Sequence, residues 1–212
     1  MRLKALLASA SSLRFSTRTR KIDMTAELRV GPIARALMHH FETCRLAAYR
    51  CPANVPTIGW GNTYYLDGRP VRMGDRITQQ QADDLFAAIL ERDFGAPVRA
   101  ELSVAGAAET SPAQFGAMVA LAYNIGMGPR AWRNGLQKGF RQSEVLRLHR
   151  AGNYVGAGGV GGDRPTSGAF GGWVRARGKV SNGLVRRRNA EAALYRSDFA
   201  ALERFTNGEV KG

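Results

Sequence analysis

The sequence predicts an α+β protein whose strands are segregated near the front of the chain. Three observations carry this. Helical periodicity is clear on both sides of a stretch at about 48–76 and absent inside it. That stretch is dense in Gly, Pro, Asn, Tyr and Trp and has a turn signal at its centre. The 44% of apolar residues over 212 positions is ordinary for a soluble chain that buries one core.

Taken in order, the first helix is expected over 32–43. Pro32 suits the first helical position, and Ile33, Leu37 and Phe41 recur on one face, which leaves Glu42 at the carboxyl end. In the β-region, Asp67-Gly68 between Tyr64-Tyr65-Leu66 and Pro70-Val71-Arg72 reads as a hairpin turn. Thr78 with Gln81, and Ser111-Pro112 with Gln114, are capping-box patterns opening two helices. Gly126 marks the end of the second. Further helices fit 143–151 and 184–195. Between them, residues 156–172 hold eight glycines in seventeen positions and read as a flexible loop. The domain reading is a basic amino-terminal tail over 1–29 and one folded domain over 30–200. The domain comprises the β-region at about 48–76 and a helical lobe at about 78–200. A carboxyl-terminal tail covers 201–212.

Thirty-one basic against seventeen acidic residues give a net charge of +14. Such a surface favours polyanions, whether nucleic acid, anionic membrane or bacterial envelope polymers, and charge alone does not choose among them. The bases cluster at 1–22 and from Arg164 to Arg196. The amino terminus has a basic start and a short, Ser-diluted apolar stretch, so an export signal is expected to be weak or absent. No apolar run reaches the roughly 18–20 residues of a membrane span. Two cysteines, Cys44 and Cys51, exclude a disulfide scaffold. His39 and His40 are adjacent and point to different helix faces, and no metal-ligand spacing occurs, so neither a metal nor a cofactor is expected.

The chemistry concentrates in residues 41–63, FETCRLAAYRCPANVPTIGWGNT. Acid hydrolysis of a glycosidic bond needs a carboxylic acid near a group that handles water or developing positive charge. Glu42, at a helix end beside a turn-rich region, is placed for that role. By itself, a Glu at a helix end is more often a solvated or paired surface residue.

The wider pattern changes the reading. Glu42 is followed after eight residues by Cys51 and after five more by Thr57, with Tyr49 and the run Thr57-Ile58-Gly59-Trp60-Gly61-Asn62-Thr63. This resembles the phage lysozymes of glycoside hydrolase family 24, in the subgroup with Cys in place of the commoner Asp. Ser111-Pro112, Gln114-Phe115 and Tyr123-Asn124-Ile125-Gly126 resemble the family's central helix and its closing turn. Trp173, Gly178-Lys179, Asn182-Gly183-Leu184, Arg186-Arg187-Arg188 and Glu191 are similar to its carboxyl-terminal signature. Thr43 and Asn62 depart from the family's usual Gly and occasional His.

The resemblance implies a lysozyme-like fold with a cleft between the β-region and the helical lobe. It implies an endolysin that cuts between N-acetylmuramic acid and N-acetylglucosamine in peptidoglycan. Such a protein is made in the host cytoplasm, acts on the periplasmic wall, causes host lysis and works as a monomer without nucleic acid. Glu42 would protonate the leaving oxygen and Thr57 would hydrogen-bond the attacking water. Cys51 would act as base or nucleophile if positive charge, for which Arg45 and Arg50 are at hand, lowers its pKa. Asn124 fits substrate contact and helix capping equally. The arginine-rich end would attach the enzyme to an anionic envelope, unless those arginines pair within the fold. Cys44 and Cys51 are read equally as a regulatory disulfide and as two unpaired thiols. Two other readings stand beside this one: a basic non-enzymatic module for nucleic acid or membrane, and a lysozyme fold inactivated at Cys51.

Overall fold

The computed structural model of the protein describes residues 28–104, 107–131, 136–161 and 166–207. The basic tail read for 1–29 lies outside the described residues as far as residue 27. Helix α1, Pro32–Phe41, starts on its proline and buries Ala34, Leu37 and Met38. Ile33 and Phe41 pack at the margin of the core. Glu42 has extended backbone (φ −109°, ψ 152°) and ends the helix.

Strands β1, Arg45–Arg50, and β2, Pro56–Gly59, form an antiparallel pair with Tyr49 opposite Thr57. Residues 75–77 line the other side of β1, through Ala48 N–H to the Asp75 carbonyl and Ile77 N–H to that of Leu46. The expected hairpin is present: Tyr64 bridges Pro70, and Gly68 takes the turn's positive φ of 83°.

Helix α2, Gln79–Leu90, opens on the Thr78–Gln81 capping box. A wider helical turn, Glu91–Gly95, leads to α3, Ala96–Leu102. Helix α4, Pro112–Ile125, opens on the Ser111–Gln114 box and is buried without interruption from Phe115 to Ala122. A helix apolar on every side belongs at the centre of a core, and α4 packs against α1, α3 and α7, Asn182–Tyr195. Contact with α1 is so close that a Cβ on Gly116 would come within 2.7 Å of the Ala34 methyl. Helices α5, Glu144–Arg150, and α6, Tyr154–Gly158, complete the lobe with a minor hairpin of β3, Arg175–Ala176, and β4, Lys179–Val180.

Two expectations are corrected. Residues 201–212 are not a tail as far as described: α8, Phe199–Asn207, buries Ala201, Leu202, Phe205 and Thr206 against α7. The glycine-rich stretch is not a loose loop where described: it holds α6 and a 3₁₀ segment, Gly168–Trp173. Residues 162–165 lie outside the described residues. Here glycine serves close approach. A Cβ on Gly158 would strike the Tyr195 ring, and one on Gly159 would strike the Thr166 carbonyl and Gly168 nitrogen. Gly159→Ala, with φ 74° as well, is therefore expected to cost about 1–3 kcal/mol. Gly172→Ala, with nothing near its Cβ position, should be neutral in the same urea titration.

His149 is fully buried, with Nδ1 2.5 Å from the Tyr195 hydroxyl and Nε2 2.8 Å from the Thr110 hydroxyl. Burial pushes its pKa down to about 4, below the unfolded value of 6.5. The unfolded chain therefore binds the proton first as pH falls. The stability this neutral ring contributes is complete above pH 6.5 and is lost as pH falls toward about 4. Melting temperature against pH should show this fall in the wild type and a shallower one in His149→Gln.

Candidate active site

The end of α1 delivers Glu42 to the surface with its side chain 27% exposed. The helix stops there, so the carboxyl stands past the last helical turn. From the other side, Arg187 on α7 donates from Nη1 to Glu42 Oε1 at 2.7 Å, its own side chain only 6% exposed.

Cys51 follows β1 in a tight turn, where its N–H reaches the Val55 carbonyl and Asn54 N–H reaches the Cys51 carbonyl. Backbone hydrogen bonds, from Val55 and then Ala53, hold the Cys51 thiol below its usual pKa. The source of the shift differs from the expected arginines. Arg45 lies over the Tyr49 ring and Arg50 donates to Asn54. Thr57 is buried in β2, where its hydroxyl donates to the Val55 carbonyl at 2.9 Å.

Trp60, just after β2, fixes this hairpin to the helical lobe. Its ring stacks on His39 of α1 at 3.8 Å, and its indole N–H donates to Asp83 of α2 at 2.7 Å. From α4, the Tyr123 hydroxyl donates to the Trp60 carbonyl at 2.8 Å. Burial, then the charge of Glu42, pushes the Tyr123 pKa up, while Arg187 opposes and Tyr49 adds to the rise. Tyr123 thus sits among Glu42, Arg187 and Tyr49, the last paired with Thr57 across the strands. It joins the two walls.

Behind Glu42 lies a charge cluster. Glu191, completely buried, accepts on Oε1 from Arg187 Nε at 3.2 Å and from Arg188 Nη2 at 2.8 Å. The same Arg188 nitrogen donates to Asn124 Oδ1 at 3.0 Å. Burial pushes Glu191 up in pKa and Arg188 down, while their mutual attraction opposes both. Asn124, at the end of α4, is exposed with its carbonyl oxygen held by Arg188.

Glu42 thus stands at the end of α1 against Arg187, and Cys51 and Thr57 lie together in the β-region. The proposed bridge between Cys44 and Cys51 is corrected: both are free. The six extended residues of β1 lie between them, and at about 3.3 Å per residue this separation is far beyond the roughly 7 Å a disulfide tolerates. Envelope attachment through Arg187 and Arg188 is corrected too, since both are buried in ion pairs. Arg186, near the Phe41 ring, remains exposed. Sequence reasoning missed Arg187, Arg188, Glu191 and Tyr123 as parts of the site. One signal was present: Arg187, Ala190, Glu191 and Leu194 recur at helical spacing on the buried side of α7. Among the described residues no group of three or more His, Cys, Asp or Glu is arranged to hold a metal, and no helix is long and apolar enough to cross a membrane.

Comparison with known proteins agrees with this architecture. Residues 39–191 match the pattern of the phage lysozyme family, and the chain belongs to that family. It is 34% identical over 165 residues to the endolysin of Acyrthosiphon pisum secondary endosymbiont phage 1, covering 76% of this chain and 93% of the relative. Among solved structures, an endolysin from Escherichia coli O157:H7 phage FAHEc1 superposes with a TM-score of 0.63 at 32% identity, over 80% of this chain and 94% of that one. A P22 lysozyme mutant gives 0.61 at 28% identity, over 79% and 98%. The fold is lysozyme-like and the enzyme is of the glycosidase type, among cell-wall-degrading hydrolases.

The two thiols differ in surroundings: burial pushes Cys44 up in pKa, whereas backbone donors pull Cys51 down. Iodoacetamide at neutral pH should alkylate Cys51 first, as read by peptide mass spectrometry over time. Equal rates would show that the turn does not stabilise the thiolate.

Proposed function

We propose that the protein is an endolysin of the muramidase kind. It hydrolyses the β-1,4 bond between N-acetylmuramic acid and N-acetylglucosamine in peptidoglycan and so lyses the host from the periplasmic side. The observation that supports this best is that Tyr123, which donates to the Trp60 carbonyl of the hairpin, also lies within the charge of Glu42, and so ties the helix-end carboxyl to the β-region that carries Cys51 and Thr57. An acid and a group able to work as thiolate are the two partners that glycoside cleavage requires.

In this reading Glu42 gives its proton to the leaving glycosidic oxygen as the bond to the anomeric carbon breaks. Water adds to that carbon, and its proton passes to the Cys51 thiolate. Thr57, with its hydrogen committed to the Val55 carbonyl, keeps lone pairs on its oxygen to accept from that water. Asn124, exposed and held by Arg188, offers its amide N–H to the glycan at the cleft mouth. A direct attack by the sulfur is the second route, and the configuration of the product separates them: inverted for a base, retained for a nucleophile.

Glu42→Gln keeps the shape but cannot donate a proton, so clearing of outer-membrane-permeabilised bacteria should fall by about 10²–10⁴ with the melting temperature little changed. Undiminished clearing by the folded variant would overturn the glycosidase mechanism. Clearing without new reducing ends in the released glycan would favour a membrane-disrupting protein instead.

A further inference from the structure

We propose that Glu191, which touches none of the reacting groups, is a positioning residue for Glu42. It anchors Arg187 on one oxygen of that carboxyl and balances the charge of the site as Glu42 gains and loses its proton. The inference rests on the reading of Glu42 as the glycosidic acid.

The geometry begins with two adjacent arginines in the protein interior. Arg187 and Arg188 are 5% and 0% exposed, and burying an unpaired guanidinium is strongly unfavourable. Glu191 sits three and four residues along the same helix, where its Oε1 accepts from both. Arg187 is then held with its far nitrogen on Glu42 Oε1. A donor on Oε1 leaves Oε2 as the oxygen that carries the acid proton. The orientation of the catalytic proton is thus set from behind.

Charge explains why a carboxylate is needed there. With Glu42 ionised, two arginines and two carboxylates sum to zero, and protonating Glu42 leaves one positive charge. Without Glu191 the two states carry one and two positive charges, on guanidiniums that are themselves buried. The second would be much the harder to reach, so the acid form would be withheld. The other groups around the site are Tyr123 from α4, which burial and Glu42 keep as a neutral hydroxyl, and Tyr49 from β1. His39 and His40 of α1 are pushed down in pKa by burial. Exposed Arg186 flanks Phe41, and Cys51 titrates on the opposite wall. Among the described residues, Arg188 and Arg187 are the charges that act on Glu191.

The test compares Glu191→Gln, Glu191→Asp and Arg188→Met with the wild type. Two readouts are used: activity against pH on permeabilised cells, and the titration of the Glu42 carboxyl carbon by NMR. Glu191→Gln is expected to move the alkaline fall of activity, and the pH at which Glu42 takes its proton, downward. The ratio of activity above the optimum to that below it should drop by about tenfold, the size one neighbouring charge commonly produces. Glu191→Asp should recover most of the loss. Arg188→Met, which removes a positive charge, should move both readouts upward. Activity lost evenly at all pH values with the Glu42 titration unmoved would make Glu191 a structural prop and overturn the proposal. If Glu191→Gln fails to fold, the upward move in Arg188→Met decides alone, and its absence overturns the proposal. A wild type without activity would defeat the muramidase reading, while the NMR titration would still decide the coupling.

Discussion

Two consecutive arginines on α7 lie in the interior, and much of the site's geometry follows from the need to pair them. A buried guanidinium without a partner costs several kcal/mol, so each must meet an acceptor in a defined place. Glu191 meets both, Glu42 meets one and Asn124 the other. Glu42 and Asn124 come from the ends of α1 and α4, two helices that already cross closely at Gly116 and Ala34. Pairing the arginines therefore fixes where both helix ends stand at the mouth of the cleft. The net charge of the chain is a poor guide here, because these cations are internal structure.

The opposite wall is small, and a pair of short strands is not stable by itself. It is held by its junction with the helices. Trp60 offers a stacked face to His39, an indole N–H to Asp83 and its carbonyl to Tyr123. Three helices thus grip one residue. This explains how a turn as short as 51–55 can hold Cys51 and Thr57 in a fixed place against the helical lobe. The same turn tunes the thiol with backbone N–H groups, which cannot rotate away as an arginine side chain could.

Much of the fold was legible because local signals agreed with tertiary ones. Both capping boxes and the Asp67-Gly68 turn lie at the expected residues, while the first helix ends at Phe41, two residues short of the expected 43. Glu42, Cys51 and Thr57 were legible as a spaced set, at the end of one helix and in the turn and strand that follow. What escaped depended on partners distant in sequence. Arg187 looks like surface charge until its contact with Glu42, 145 positions away, is known. The pairing of Cys44 with Cys51 looked feasible while only their seven-residue spacing was known, and an extended strand removes it. Helix α8 was read as a tail because its buried face, Ala201, Leu202 and Phe205, is short and ends near the chain's own end.

Gly159 and Gly168 meet backbone to backbone, both at positive φ, and each occupies the space where the other's side chain would stand. Composition alone would file this stretch as filler of low information content. Its information is held in what is missing, because the two positions accept only the residue without a Cβ and constrain each other. Random drift would find few single steps open there, and a combinatorial library built on the usual assumption that glycine-rich stretches are permissive would spend its diversity where the backbone has no room. The permissive ground in this chain lies on exposed positions such as Val155 and Leu66, which composition would have marked as core.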